Sequence, residues 1–367
     1  MNELGKRYYL TFISVTLFLM IIGLYMVYSA SFPISYKLNG TTHYFFVKQL
    51  ISAGIGLTLM IIASKVDYKV YKDISYILLL LSGLVMLLTY FPVIGKTIKG
   101  AHRWIVLGSI NIQPSEIAKV FLVIFVAYLL EKKQEKLNSF SYGFLPFIVI
   151  PGIIMSLALM QPDFGMFVLM ALIIYLMMFI GGVKIAYLLT ALLAFMPIVY
   201  ILIKSFPYRV ARFLVYLDPW KYYDDKGYQV AQSLISFGAG GFIGKGIGAS
   251  QQKLYYLPEA YTDYIFSIFA EELGFFGVFL VVAAFTLFLI NGVSMSMKIP
   301  NRFGRLLGLG LTILIVLQAF MNFSICMGIL PPKGMALPFL SYGGSSLVSS
   351  LIAVGILLNL SKDVENV

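Results

Sequence analysis

Cysteine, histidine and charged residues are all scarce in this chain, and each scarcity removes a class of function. The single cysteine, Cys326, sits in an apolar run, so no disulfide can form within the chain and none is needed. The two histidines, His43 and His102, are too few and too far apart in sequence for a His/Cys metal site. Charged residues make up only 12% of 367 residues against 60% hydrophobic, with a mean hydropathy of +0.91, which excludes a soluble domain. No linker, low-complexity tract or convincing internal repeat interrupts residues 1–367. The chain therefore reads as one polytopic membrane domain, and the missing repeat weighs against inverted-repeat transporter designs.

What is present in abundance is the long apolar run. Runs at 9–30, 45–64, 74–91, 117–130, 144–160, 164–182, 185–204, 264–290, 306–328 and 345–361 predict an all-α integral membrane protein of about ten transmembrane helices. The fourth run is short and starts within the polar segment before it. Lys6 and Arg7 precede the first run and no small-residue cleavage site follows it, so it reads as an uncleaved anchor with the N-terminus inside. An even number of spans then makes both termini cytoplasmic. Lys65, Lys69, Lys72, Lys132, Lys133, Lys136, Lys184, Lys298, Arg302 and Arg305 fall in short inner connections, in keeping with the positive-inside rule. The net charge of +11 thus needs no nucleic-acid partner: the inner charges are topology signals, and the outer ones suit an anionic partner.

The outer segments 92–116, 205–262 and 329–344 are long, polar and rich in Gly and Pro, which places function on that face. The largest, 205–262, lies between the seventh and eighth helices. Its stretch GAGGFIGKGIGAS at 238–250 follows no strand and faces a compartment without ATP, so it reads as a loop folded tightly against the membrane rather than a phosphate loop.

Asp263 is the most informative single residue, a carboxylate where this polar loop meets an apolar helix. A charge at that boundary is expensive unless it faces a cavity or partner, and in a partly apolar site it can serve as a base toward a hydroxyl. A helix beginning near Pro258 would put Glu259 on the same face as Asp263. Glu271 and Glu272 lie deeper and call for pairing with Lys or Arg from another helix. Pro114 suits a first helical turn, with Glu116 and Lys119 three apart as either a structural pair or a lipid headgroup site. Arg103 and Trp104 belong to an interfacial cluster with His102. Asp163 is placed to cap a helix or to meet substrate. Arg209 and Arg212 share a helical face that could grip a phosphate, or simply pair with lipid. Lys333 stands in the last outer loop before a Ser/Gly-rich helix entry that either favours anions or is a plain turn before the final span.

YSAS at 28–31, GAHRWI at 100–105, QPSEIAK at 113–119, QPDFG at 161–165, LDPW at 217–220, GYQVAQS at 227–233, LPEAYTDYIFSIFAEELG at 257–274 and KGMALPFLSYGGSS at 333–346 resemble the SEDS family of cell-wall proteins. Within that family the wording at 28–31, Ala260 and 333–338 is more similar to the division branch than to the elongation branch. The resemblance implies a peptidoglycan glycosyltransferase that polymerises lipid II and releases undecaprenyl pyrophosphate at the outer face of the bacterial inner membrane. It also implies work with a class B penicillin-binding protein and other divisome membrane proteins. The family's essential aspartate falls on Asp263, and its important Trp, Glu, Lys and first-loop Asp fall on Trp104, Glu116, Lys119 and Asp163. No permanently bound cofactor is expected; a divalent cation, Mg or Mn, could accompany the substrate pyrophosphate. The chain departs from the pattern at Tyr261, where division-branch sequences usually carry histidine. A lipid II flippase is the rival reading, and a scaffold that only recruits partners is a third.

Overall fold

The computed structural model describes residues 2–91, 94–98, 101–107 and 110–365. Gly100, which opens the GAHRWI stretch, lies outside them. In chain order the helices are α1 (Glu3–Asn39), α2 (Tyr44–Lys65), α3 (Tyr68–Asp73) and α4 (Ser75–Leu88). The strands β1 (Gly95–Ile98), β2 (Ala101–Leu107) and β3 (Ile110–Ile112) follow. Then come α5 (Pro114–Lys132), α6 (Leu145–Met160), α7 (Phe164–Ile180), α8 (Ile185–Lys204), α9 (Pro207–Leu217), α10 (Tyr228–Gly240), α11 (Ile265–Met297), α12 (Arg302–Cys326) and α13 (Gly344–Leu360). Each predicted apolar run falls on a helix. Among the described residues, 7 helical segments are long and apolar enough to cross a membrane, and α4 and α7 are shorter apolar helices.

Burial explains why the runs differ so much in polarity. Helix α12 is enclosed by neighbours on nearly all sides, with 83% of its apolar window buried, whereas α8 buries only 6% and presents its surface outward. The centre is therefore α12 with α5 and α13, and α8 lies at the periphery. A helix wrapped in protein can carry polar side chains provided each finds a partner, and α12 carries Gln318 and Asn322.

Two of the long polar segments hold more structure than expected. Residues 95–98, 101–107 and 110–112 form a three-stranded antiparallel sheet in the order β1-β2-β3, with Trp104 opposite Lys96 and Val106 opposite Asn111. The segment 205–262 holds α9 and α10. The expected helix start near Pro258 does not occur, because residues 258–264 are turns and α11 begins at Ile265. Glu259, with φ 55°, sits in one of those turns, so it does not share a helical face with Asp263.

Helix α11 is broken at Gly274, whose φ of 62° suits glycine. The break frees backbone groups, and the 241–246 loop takes them up. The amides of Lys245 and Gly246 donate to the carbonyls of Glu271 and Glu272, and those of Phe275 and Phe276 donate to the carbonyls of Gly241 and Phe242. This is the tight loop expected from the glycines. Glu271 accepts from Lys245 Nζ at 2.7 Å and from Ser250 Oγ, and Glu272 accepts from Lys253 Nζ and Ser29 Oγ, both at 2.8 Å. The basic partners come from the preceding loop rather than from another helix. Glu272→Ala leaves Lys253 with only Ser29 Oγ and Gly248 O in a nearly closed site, without a countercharge, and is expected to destabilise the fold by about 3 kcal/mol. Thermal unfolding in detergent checks it, and an unchanged midpoint contradicts the clasp.

Candidate active site

Five helices, α2, α5, α7, α11 and α13, begin at the end of the bundle where α12 finishes, and the loop 329–343 lies among their first turns. Helix N-termini carry partial positive charge, so this end is predisposed to anions. The polar residues singled out in the sequence converge here from separate segments.

Glu116 and Lys119 occupy the first turns of α5, with Pro114 in its opening turn as its fixed φ favours. They form an i,i+3 ion pair, 5% and 2% exposed, and Lys119 Nζ also donates to Gln318 Oε1 at 2.5 Å. Lys119 is thus fully engaged inside the protein. Asp163 caps α7, accepting from the Met166 amide at 3.2 Å and from Gln113 Nε2 at 3.3 Å. Arg103 on β2 reaches the same corner: its Nε donates to Gln161 O at 2.9 Å, its Nη2 to Pro162 O, and its Nη1 stands 3.9 Å from Asp163 Oδ2. Trp104, the next residue, is half-buried.

Lys333 differs from every other cation in the cluster. Its Nζ is enclosed and, among the described residues, has no hydrogen-bond partner. The charges acting on it are those of Asp163, Arg103, Glu116 and Asp263. Burial lowers its pKa to about 8, and the nearby Asp163 carboxylate only partly offsets that. The side chain reaches this position by crossing Gly165, where a Cβ would lie 0.8 Å from Lys333 Cε. A Gly165→Ala substitution displaces the flexible lysine with little cost to the fold. If Lys333 matters for activity, this one methyl is expected to lower turnover about tenfold, read as product formed per minute at equal expression.

Asp263, from the separate segment 258–264, lies against Gly334, the residue after Lys333, since a Cβ on Gly334 would stand 2.6 Å from its Oδ2. The segments carrying Asp263 and Lys333 are joined directly: the Tyr342 amide donates to Tyr261 O at 3.0 Å, and the Tyr261, Tyr342 and Phe45 rings form one cluster. Burial, with lesser contributions from Glu259, Tyr342 and Asp263, pushes the Tyr261 phenol up to about 12. Tyr261 therefore stays protonated at neutral pH and cannot serve as a base. Glu259 accepts from Thr262 Oγ1 at 3.0 Å and shapes the turn before Asp263.

The two arginines of α9 part company. Arg209 is buried, donates to Leu202 O at 2.7 Å and lies over the rings of Phe164 and Phe206 at 4.9 and 4.3 Å. Arg212 is exposed, and its charge acts on Tyr264 beside Asp263. Among the described residues no group of three or more His, Cys, Asp or Glu side chains could hold a metal ion. The sequence reading missed Gln113, Gln161, Gln318 and Asn322. The last two were visible as amides four residues apart within an apolar run.

The FtsW/RodA/SpoVE cell cycle protein model matches residues 9–366. A probable peptidoglycan glycosyltransferase FtsW of Geobacter metallireducens is 42% identical over 356 residues, covering 97% of this chain and 95% of that protein. The stage V sporulation protein E of Bacillus subtilis is 38% identical, covering 96% of each. Among solved structures, a chain of a peptidoglycan synthase complex covers 96% of this chain and 97% of its own length, with a TM-score of 0.79 at 24% identity. The Thermus thermophilus rod shape determining protein RodA gives 0.70 at 23%, covering 97% of each. The chain, matched almost end to end, belongs to the FtsW/RodA/SpoVE family of cell cycle proteins.

Proposed function

We propose that the chain is a peptidoglycan glycosyltransferase that polymerises lipid II in cell division, at the outer face of the bacterial inner membrane. The observation that carries this is the pairing of an enclosed, unpartnered ammonium, Lys333, with a carboxylate, Asp263, on the neighbouring backbone. Glycosyl transfer from a lipid pyrophosphate needs a base for the acceptor hydroxyl and a cation for the departing pyrophosphate. Asp263 takes the proton of the acceptor sugar's 4-hydroxyl. The oxygen attacks the donor's anomeric carbon, whose bond to the pyrophosphate oxygen breaks, and the electron pair leaves with undecaprenyl pyrophosphate.

Lys333 is the cation for that charge, because Lys119 and Arg209 are committed to protein partners. Arg212, exposed beside Tyr264, can meet the lipid phosphates as they approach. Asp163, Arg103, Glu116 and Lys119 hold the walls in place. A divalent cation, Mg or Mn, would arrive with the pyrophosphate as part of the substrate. A class B penicillin-binding protein supplies the crosslinking step, and other divisome membrane proteins complete the assembly.

The deciding experiment places the chain with its penicillin-binding partner in vesicles of known sidedness and follows labelled lipid II in two channels. Glycan chains made from lipid II in the outer leaflet support the proposal. Lipid II crossing the bilayer with no bond formed would overturn it in favour of a flippase.

A further inference from the structure

Asn322 sits in α12 one turn beyond Gln318, so the two amides project from the same face of this enclosed helix. Gln318 Nε2 donates to Ala336 O at 2.8 Å, while its Oε1 accepts from Lys119. Asn322 does something different with its two amide hydrogens. Its Nδ2 donates to Met335 O at 2.7 Å and to Asp263 O at 2.9 Å. Met335 stands two residues after Lys333, so a single side chain, 1% exposed, ties together the segments that carry the carboxylate and the ammonium. The Oδ1 faces Cys326 Sγ at 3.7 Å, a weak contact that orients the amide with its hydrogens toward the loops.

We propose that Asn322 is a positioning residue for glycosyl transfer, setting the register between Asp263 and Lys333 without touching substrate. The proposal rests on the reading of those two residues as base and anion ligand. Both tethered segments, 258–264 and 329–343, are irregular, and neither has a helix or sheet ladder of its own to fix it. Each needs an external partner for its carbonyls, and the same amide supplies both. Moving either segment alone therefore breaks one of the two bonds. Lys333 has a second constraint in its passage over Gly165, whereas the Asp263 carbonyl takes the Asn322 amide at 2.9 Å and only a weak contact from Cys326 Sγ at 3.6 Å, the Tyr342 amide holding Tyr261 two residues before it. The expected signature of losing Asn322 is a fall in kcat with little change in KM.

The test uses the full chain with its penicillin-binding partner, with lipid II as substrate, and compares Asn322→Asp and Asn322→Leu with wild type. Asn322→Asp keeps the shape and loses the donors; Asn322→Leu removes the polar group altogether. Amide hydrogen exchange is expected to speed up about tenfold in 258–264 and in 333–342 together, with α5 and α13 unchanged. The kcat is expected to fall about thirtyfold with KM within about threefold of wild type. Faster exchange in only one segment, unchanged kcat, or a lowered kcat with both segments still protected would each overturn the proposal. Asp263→Asn is assayed in parallel. If that variant still makes glycan, the base assignment fails, while the exchange result still decides whether Asn322 couples the two segments.

Discussion

Asp263→Asn, given labelled lipid II and the penicillin-binding partner, is expected to yield no glycan above background, a loss of about a thousandfold. The substitution keeps the shape of the side chain and removes its capacity to take a proton. The tether to Asn322 runs through the Asp263 carbonyl and survives the change, so the surrounding turn is retained. Tyr261 and Tyr264 flank the site, but burial holds both phenols above their ordinary value, and neither can substitute as a base near neutrality. Gel separation of the products checks this directly. Glycan of ordinary length and amount from Asp263→Asn would remove Asp263 from the mechanism.

Lys333→Met is expected to lower glycan synthesis by about two orders of magnitude while leaving the protein as stable as wild type or more so. The two effects have one cause. An enclosed ammonium without a partner burdens the free protein and is relieved when an anion arrives, so methionine removes the burden and the function together. The pH dependence has a definite sign. With a pKa of about 8, Lys333 is charged below that pH and loses its proton as pH rises through it, so KM for lipid II is expected to rise above pH 8 in wild type. The folded-state pKa lies below the unfolded one, so the stability burden is full below pH 8 and is relieved as pH rises toward the ordinary lysine range. Steady-state kinetics from roughly pH 6.5 to 9.5, above the range in which ordinary carboxylates titrate, checks the first, and thermal unfolding over the same range checks the second. A KM independent of pH in wild type would show that Lys333 does not meet the pyrophosphate.

The helical plan was legible because apolar runs of membrane-spanning length are a strong signal, and every such run became a helix. The Glu116 and Lys119 pair and the capping role of Asp163 were legible from local spacing, since both depend on residues a few positions apart. The three-stranded sheet was not, because 95–112 lies within a polar segment whose Gly content reads as loop. The start of α11 was misread because Pro258 suits a first helical turn, while positive φ at Glu259 turns the chain instead. The enclosure of Lys333 and the double tether from Asn322 could not be read from spacing, because each depends on segments distant in sequence arriving at one place. The amides of α12 were the available clue: polar side chains inside a span need internal partners.

The slot at Gly165 makes two distant positions answerable to each other. A side chain at 165 and a lysine laid across it at 333 compete for the same volume, so the two residues form a single heritable unit. Across related sequences, lysine at 333 should occur only with glycine at 165, and a larger residue at 165 should coincide with loss of that lysine. A lineage that keeps lysine and enlarges residue 165 would have to re-route the ammonium by another path.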